Sequence, residues 1–237
     1  MIERQSLSNR VTHWAIAISV FGLIFSGIGQ LPAYKRYMLS DLPALGWTAN
    51  YIVTLWLHYF FAIILLAASV YHIAVHSLRR EFDIAPKRGD LKASVLLIWA
   101  MIRRKEEPPS DKYLPEQRLA YGFIAFALGL LIVTGLIKMA KNVAGWNISD
   151  TAHFWTAQLH NLGTILIIFG VAAHLAAFLF KPNRKLLSAM FSGKVSARYV
   201  LERHQLWRKG IEAAKKANAL TLETDEKHKT ERKIINV

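Results

Sequence analysis

The sequence predicts an all-α membrane protein: a four-transmembrane-helix bundle followed by a basic C-terminal extension. Three observations carry this prediction. Four apolar runs are long enough to cross a bilayer, most cations lie in the segments on one side of those runs, and histidines recur inside two of them at one spacing. With 53% of its 237 residues hydrophobic, the chain is too apolar for an ordinary soluble domain.

The first run lies between Arg10 and Lys35, and the second between Asp41 and Arg79. The third lies between Arg118 and Lys138, and the fourth between Asp150 and Lys181. Each holds roughly 20 apolar residues, enough for a helix to cross a hydrocarbon core about 30 Å thick. Helices are expected near residues 11–31, 53–76, 118–138 and 155–180, within a membrane domain of residues 1–180. Residues 93–102 are apolar but too few to span, and they predict an interfacial helix lying against the membrane. The first run ends in Gly29-Gln30-Leu31-Pro32 and not in a small-residue cleavage site, so it is expected to act as an uncleaved insertion signal.

Four spans place both ends of the chain on one side of the membrane. Of the 30 Lys and Arg, two (Arg4 and Arg10) precede the first span, ten fall in the 79–118 loop and 14 follow residue 180. Only Lys35, Arg36, Lys138 and Lys141 belong to the opposite side. The bias of 26 against four predicts a multi-pass protein of a bacterial inner membrane with both termini in the cytoplasm. The net charge of +14 is therefore topological, and nucleic acid is not an expected partner, since the cations flank apolar helices and no nucleic-acid motif is present. Residues 181–237 form the basic cytoplasmic tail, with 208–237 expected as a partly helical extension that ends in disorder. The absence of cysteine excludes iron–sulfur clusters, covalent c-type heme, disulfides and thiol catalysis from this chain.

Ionisable groups inside a bilayer are costly and mark function. His58 and His72 lie in the second span, His160 and His174 in the fourth, and each pair is 14 residues apart. Fourteen residues are just under four helical turns, so both members of a pair share a face about 21 Å apart along the axis. Antiparallel helices with this pattern bring four imidazoles to two depths, His58 with His160 toward the outer face and His72 with His174 toward the cytoplasm. Two b-type hemes, each held by two axial imidazoles, need such an arrangement. Interhelical hydrogen bonding is the plainer role for one membrane histidine and a weaker account of two matched pairs. Gly27, Gly29, Gly135, Gly163 and Gly170 offer room for a macrocycle, or simply let helices pack closely. His13, at the start of the first span, is a fifth candidate ligand, whereas His76, His153, His204 and His228 are not expected to be ligands.

Several segments carry a resemblance that runs from about residue 4 to 215. They are Arg10-Val-Thr-His13-Trp14, Leu57-His58-Tyr59-Phe60-Phe61, Lys112-Tyr113 with Gln117, Val133-Thr134-Gly135, and Leu159-His160 through His174. After the last span come Gly193-Lys194-Val195-Ser196, Arg198, His204 and Trp207. Together they resemble the gamma subunit of membrane-bound formate dehydrogenases, a di-heme, cytochrome b556-type protein. That subunit lies within the wider cytochrome b561-like family that includes nickel–iron hydrogenase cytochromes b.

The resemblance implies an outer heme on His58 and His160, and a cytoplasmic-side heme on His13 and His174. Spacing alone selects His72 as the partner of His174; under the resemblance His72 becomes a supporting group or a proton donor near quinone. The family also implies a quinone site (menaquinone or ubiquinone) beside the cytoplasmic-side heme, to which Gln117 contributes. Leu114 and Glu116 stand where the family has Asn and Gly, so that pocket differs in detail. Arg10 suits either a heme propionate or an inside-positive anchor.

The implied partners are an iron–sulfur (beta) subunit and a molybdenum- or tungsten-containing catalytic (alpha) subunit. This chain holds no substrate-oxidising residue of its own; it receives electrons from outside and reduces quinone with protons from the cytoplasm. Three alternatives share some of these features: a cytochrome b of a hydrogenase or thiosulfate-type reductase, a stand-alone b561-like carrier, and a heme-free transporter or scaffold.

Overall fold

The computed structural model describes residues 1–103, 105 and 108–217, apart from the side chains of Lys35 and Pro182. Its helices are α1 (Leu7–Gly29), α2 (Pro32–Arg36), α3 (Tyr51–Arg79), α4 (Asp90–Ile102), α5 (Pro115–Ala144), α6 (Asp150–Ala176), α7 (Lys181–Ser192) and α8 (Ala197–Arg203). The described residues also form two short strands, β1 (Ile2–Glu3) and β2 (Lys194–Val195), and 3-10 turns at Leu39–Asp41, Gly46–Ala49 and Ala177–Leu179, and residues 208–217 are helical as well. Among the described residues four helices are long and apolar enough to cross a membrane: α1, α3, α5, and α6 with its 3-10 continuation to Leu179. The expected tail from residue 218 onward lies outside the described residues.

All four helices begin before the expected starts, and α3 and α5 also run past the expected ends, because charges mark the edge of the apolar run and not the end of the helix; α1 stops at Gly29 and α6 with its 3-10 continuation at Leu179, just short of theirs. Asn50 starts α3, its Oδ1 accepting the backbone N–H of Ile52 at 3.0 Å and of Val53 at 3.4 Å. At the other end Arg80 turns left-handed (φ 53°), Glu81 N–H donates to His76 O, and the His76 ring lies 3.0 Å from Glu81 O. Pro115 opens α5 three residues before Arg118, and Gln117 Oε1 accepts the Leu114 N–H at 3.2 Å, one half of a capping box. Lys138 and Lys141 then ride within α5, which continues to Ala144. Asp150 in the first turn of α6 suits the positive end of that helix.

The chain divides into two compact units. One comprises Ser8–Phe82 and Phe123–Ala173 and holds most of the four long helices. Its core joins Val20 of α1, Leu65 of α3, Ala127 and Leu128 of α5, and Ile167 of α6. Close approach replaces bulk at Gly22, where a Cβ would overlap the Phe61 ring, and at Gly163, where it would meet Leu131 at 2.9 Å. Buried hydroxyls bond back along their own helices, Ser19 to Ala15 O and Thr156 to Ala152 O, each at 2.7 Å. Phe21, Ile63, Phe126 and Phe169 point outward, as lipid-facing side chains do.

The other unit comprises Met1–Leu7, the described residues of Asp83–Gly122, and residues 174–217. Here the N-terminal arm and the tail fold together. β1 pairs antiparallel with β2, Ile2 opposite Val195. Gly193, left-handed at φ 78°, presents its carbonyl to the N–H groups of Arg4 (2.8 Å) and Gln5 (3.1 Å). Ile2, Ala189, Val195, Tyr199, Val200 and Ala214 form the core of this unit. Arg4, only 5% exposed, donates to His204 Nε2 at 3.0 Å and to Lys112 O, with its guanidinium over the Tyr113 and Trp207 rings. His204 Nδ1–H donates to Asp111 O at 2.6 Å, which fixes the tautomer that accepts from Arg4. Arg118 grips Asp90 with two hydrogen bonds, 2.5 and 2.8 Å, and holds that carboxyl below the usual carboxylate range. Along α4, Asp90, Ser94 and Leu97 are buried while Leu91, Val95, Trp99 and Ile102 are exposed, an apolar stripe of the kind an interfacial helix presents.

Candidate functional site

Two of the predicted histidines meet inside the apolar unit. His58 sits two turns into α3 and His160 three turns into α6, both half-buried, with ring centres 6.4 Å apart and planes at 62°. Both line a cleft of about 870 Å³ of empty space, counted to its open mouth. All four long helices contribute to the lining, which is otherwise almost wholly apolar: Leu23 and Ile24 from α1, Leu66 from α3, Leu131 and Met139 from α5, Ile167 from α6.

The outer edge of each ring is occupied. His58 Nδ1 lies 2.9 Å from Ser26 Oγ, and His160 Nδ1 lies 2.9 Å from Thr134 Oγ1. Each hydroxyl also donates to a carbonyl one turn back, Ser26 to Gly22 O at 2.7 Å and Thr134 to Leu130 O at 2.6 Å. With the single hydroxyl proton engaged there, the bond to the ring runs from Nδ1–H to oxygen, and Nε2 carries the lone pair. Gly27 and Gly135 stand beside the same rings: a Cβ on either would lie 3.5 Å from the histidine Cε1.

An imidazole nitrogen lies about 1.1 Å from its ring centre and bonds a metal at about 2.0–2.1 Å, so two rings flanking one metal have centres about 6.2–6.4 Å apart. The observed separation matches that sum. Among the described residues no group of three or more His, Asp or Glu gathers around a possible ion. Two nitrogens alone do not complete the shell of a bare ion; they suit a metal whose remaining positions a macrocycle fills.

The other predicted residues occupy separate places. Arg10 and His13 are half-buried near the start of α1, where the His13 ring meets the Trp14 ring edge-on at 5.5 Å. His72 is half-buried on α3 with its ring 4.3 Å from that of His76, one turn on. His174 is exposed near the end of α6, its ring 6.1 Å from Phe178. Gln117 spends its side-chain oxygen on the cap of α5. Of the glycines, Gly29 faces Thr54 and Gly170 faces Phe123, so these serve helix contact, as Gly163 does.

Ser26 and Thr134 were not legible as site residues, because a hydroxyl in a membrane helix ordinarily bonds its own backbone. Thr134 stands in the Val133-Thr134-Gly135 segment of the resemblance without a role of its own, and both positions share a hydroxyl residue followed by glycine, Ser26-Gly27 and Thr134-Gly135, once in each helix that flanks a histidine.

Residues 4–193 match the prokaryotic cytochrome b561 family. Among curated relatives, the cytochrome b556(Fdn) subunits of nitrate-inducible formate dehydrogenase from Escherichia coli strain K12, E. coli O157:H7 and Shigella flexneri are similar to this chain. Each is 26% identical over 219 residues, covering 90% of this chain and 93% of the relative. The family match runs through all four apolar helices and takes in the whole cleft between His58 and His160, and on that ground the chain belongs to the prokaryotic cytochrome b561 family.

Proposed function

We propose that this chain is the membrane-anchor cytochrome b subunit of a respiratory oxidoreductase of the formate dehydrogenase type, by which electrons from an iron–sulfur partner reach quinone. Electron transfer within a membrane is the role that fits the family, and the family carries b-type heme. The observation that supports this reading best is the 6.4 Å separation of the His58 and His160 rings across an apolar cleft, each ring with its Nδ1 already bonded. His58 and His160 would hold one heme iron through Nε2. Bound there, heme supplies a one-electron couple. The chain does the rest: apolar side chains keep water from the site, and Gly27 and Gly135 leave the flanks open to a macrocycle.

A second b heme completes the proposal, with His174 as one ligand and His13 or His72 as the other. Arg10 is the candidate for a propionate, and Gln117 for a quinone pocket near the start of α5. Menaquinone or ubiquinone would be reduced on the cytoplasmic side of a bacterial inner membrane, with both termini on that side; the cation bias of 26 to four supports this orientation. The partners would be an iron–sulfur subunit and a molybdenum or tungsten catalytic subunit. The formate dehydrogenase relatives, aligned over nearly their whole length, support that choice.

A reduced-minus-oxidised spectrum with pyridine-hemochrome titration of the purified membrane protein tests the reading. Two b hemes per chain are expected, one of them lost in His58→Ala and in His160→Ala. His13→Ala and His72→Ala decide the remaining ligand, since only the true one costs the second heme. Absence of heme, or a heme count indifferent to His58 and His160, refutes the proposal. Reduction of the b-heme absorption band by formate in the intact complex tests the donor.

A further inference from the structure

We propose that Ser26 and Thr134 are paired positioning residues that set the tautomer of His58 and His160 and tune the potential of the heme between them, a reading that rests on those histidines being ligands. The geometry is the same on both sides. Each hydroxyl stands 2.9 Å from a ring Nδ1 and donates to a carbonyl four residues back, at 2.7 Å for Ser26 and 2.6 Å for Thr134. The backward bond alone is ordinary, and it is the hydrogen bond Ser19 and Thr156 make at 2.7 Å. What singles out Ser26 and Thr134 is the further contact with a ring nitrogen, made once for each member of the histidine pair.

Three consequences follow. The carbonyl takes the hydroxyl proton, so Nδ1 must donate, and Nε2 is left as the free donor atom on both rings. The Nδ1–H to oxygen bond also stops each ring from turning about its Cβ–Cγ axis, which aims Nε2 before any metal arrives. Finally, the acceptor is a neutral hydroxyl and not a carboxylate. It adds modest electron density to the ring, favouring the ferric state slightly, without drawing the ligand toward imidazolate. Water cannot substitute for either hydroxyl, because Ser26 is fully buried and Thr134 is 3% exposed.

The test uses the full-length protein in its complex, with Ser26→Ala, Thr134→Val, the double variant, and the hydroxyl-keeping Ser26→Thr and Thr134→Ser. Potentiometric titration of the b hemes and the low-spin ferric EPR spectrum are read beside the heme count. Each single hydroxyl deletion should favour the ferrous form of one heme about three- to tenfold. That raises its midpoint by about 30–60 mV at 59 mV per tenfold for one electron, while the other heme stays put. The double variant should approach the sum, and Ser26→Thr and Thr134→Ser should keep the original potential and EPR signal. If Ser26→Ala fails to hold heme, retention by Ser26→Thr upholds the relay, and loss in both overturns it. An unmoved potential with heme retained also overturns it, as does a shift in Ser26→Thr equal to that in Ser26→Ala. His58→Ala separates the two readings: loss of this heme there beside an unmoved Ser26→Ala leaves the ligand and removes the relay. A heme indifferent to His58→Ala removes the ligand itself.

Discussion

Acid should loosen the unit that joins the N-terminal arm to the tail, and His204 sets the pH window. Its ring is completely buried, donates from Nδ1 to Asp111 O at 2.6 Å and accepts at Nε2 from Arg4 at 3.0 Å. Tyr199 and Trp207 enclose it edge-on, and Arg203 adds a second nearby cation. Burial first, and then the Arg4 charge, lower its pKa from 6.5 to about 4. Above pH 6.5 the ring is neutral whether folded or unfolded, and nothing is lost. Below that, the unfolded chain takes up a proton that the folded one refuses, so stability falls until about pH 4. The gap of about 2.5 pH units, at about 1.4 kcal/mol each, amounts to roughly 3 kcal/mol, or about 300-fold in the opening equilibrium. Asp90 does not contribute in this window, because Arg118 keeps its carboxyl charged to below the usual carboxylate range. Hydrogen exchange of the 197–207 amides in detergent between pH 7 and 4, corrected for intrinsic rates, reads the effect directly. His204→Gln retains an amide donor and an acceptor but does not titrate, so its protection should be flat where the parent loses about 300-fold. Equal losses in the two proteins, or none in the parent, would refute the reasoning.

Three further outcomes are expected. Asp90→Asn leaves the buried Arg118 guanidinium short of its charge partner and should cost about 3–5 kcal/mol, whereas Asp90→Leu with Arg118→Met should cost much less; thermal unfolding of the solubilised protein distinguishes them. Gly22→Val drives a branched side chain into the Phe61 ring and should destabilise by about 1–3 kcal/mol, relieved when Phe61→Ala is added, as measured by denaturant midpoints. Asn50→Ala removes the acceptor that starts α3, and should cost about 1 kcal/mol with faster exchange at Ile52 and Val53.

The four spans were legible because a bilayer demands an unbroken apolar run, and each expected range falls largely within an observed helix. Their ends were less legible: Asn50 caps α3, Gln117 caps α5 behind Pro115, and Ser149 accepts the Ala152 N–H at the start of α6, local bonds that hydropathy does not register. His58 and His160 were legible as polar groups at matched positions in apolar runs, and they are the two rings that share a cleft. Ser26 and Thr134 were not, since only packing of α1 against α3 and α5 against α6 turns a common backward bond into a contact with a ring.

The tail residues that carried the resemblance have definite structural work. Gly193 turns left-handed to receive the Arg4 and Gln5 N–H groups, Val195 pairs with Ile2, Ser196 caps α8, and His204 and Trp207 enclose Arg4. A pattern that looked like a label for one branch of a family is thus the closure of the N-terminal arm onto the tail, with Arg4 at its centre. This bears on the charge argument. Arg4, Arg118 and Arg203 are buried and hydrogen-bonded, so they act as structural cations and not as free surface charge. Removing those three from the 26 leaves 23 against four. The cation bias on which the proposed orientation rests therefore does not depend on them, since it persists when the three arginines of the folded closure are set aside.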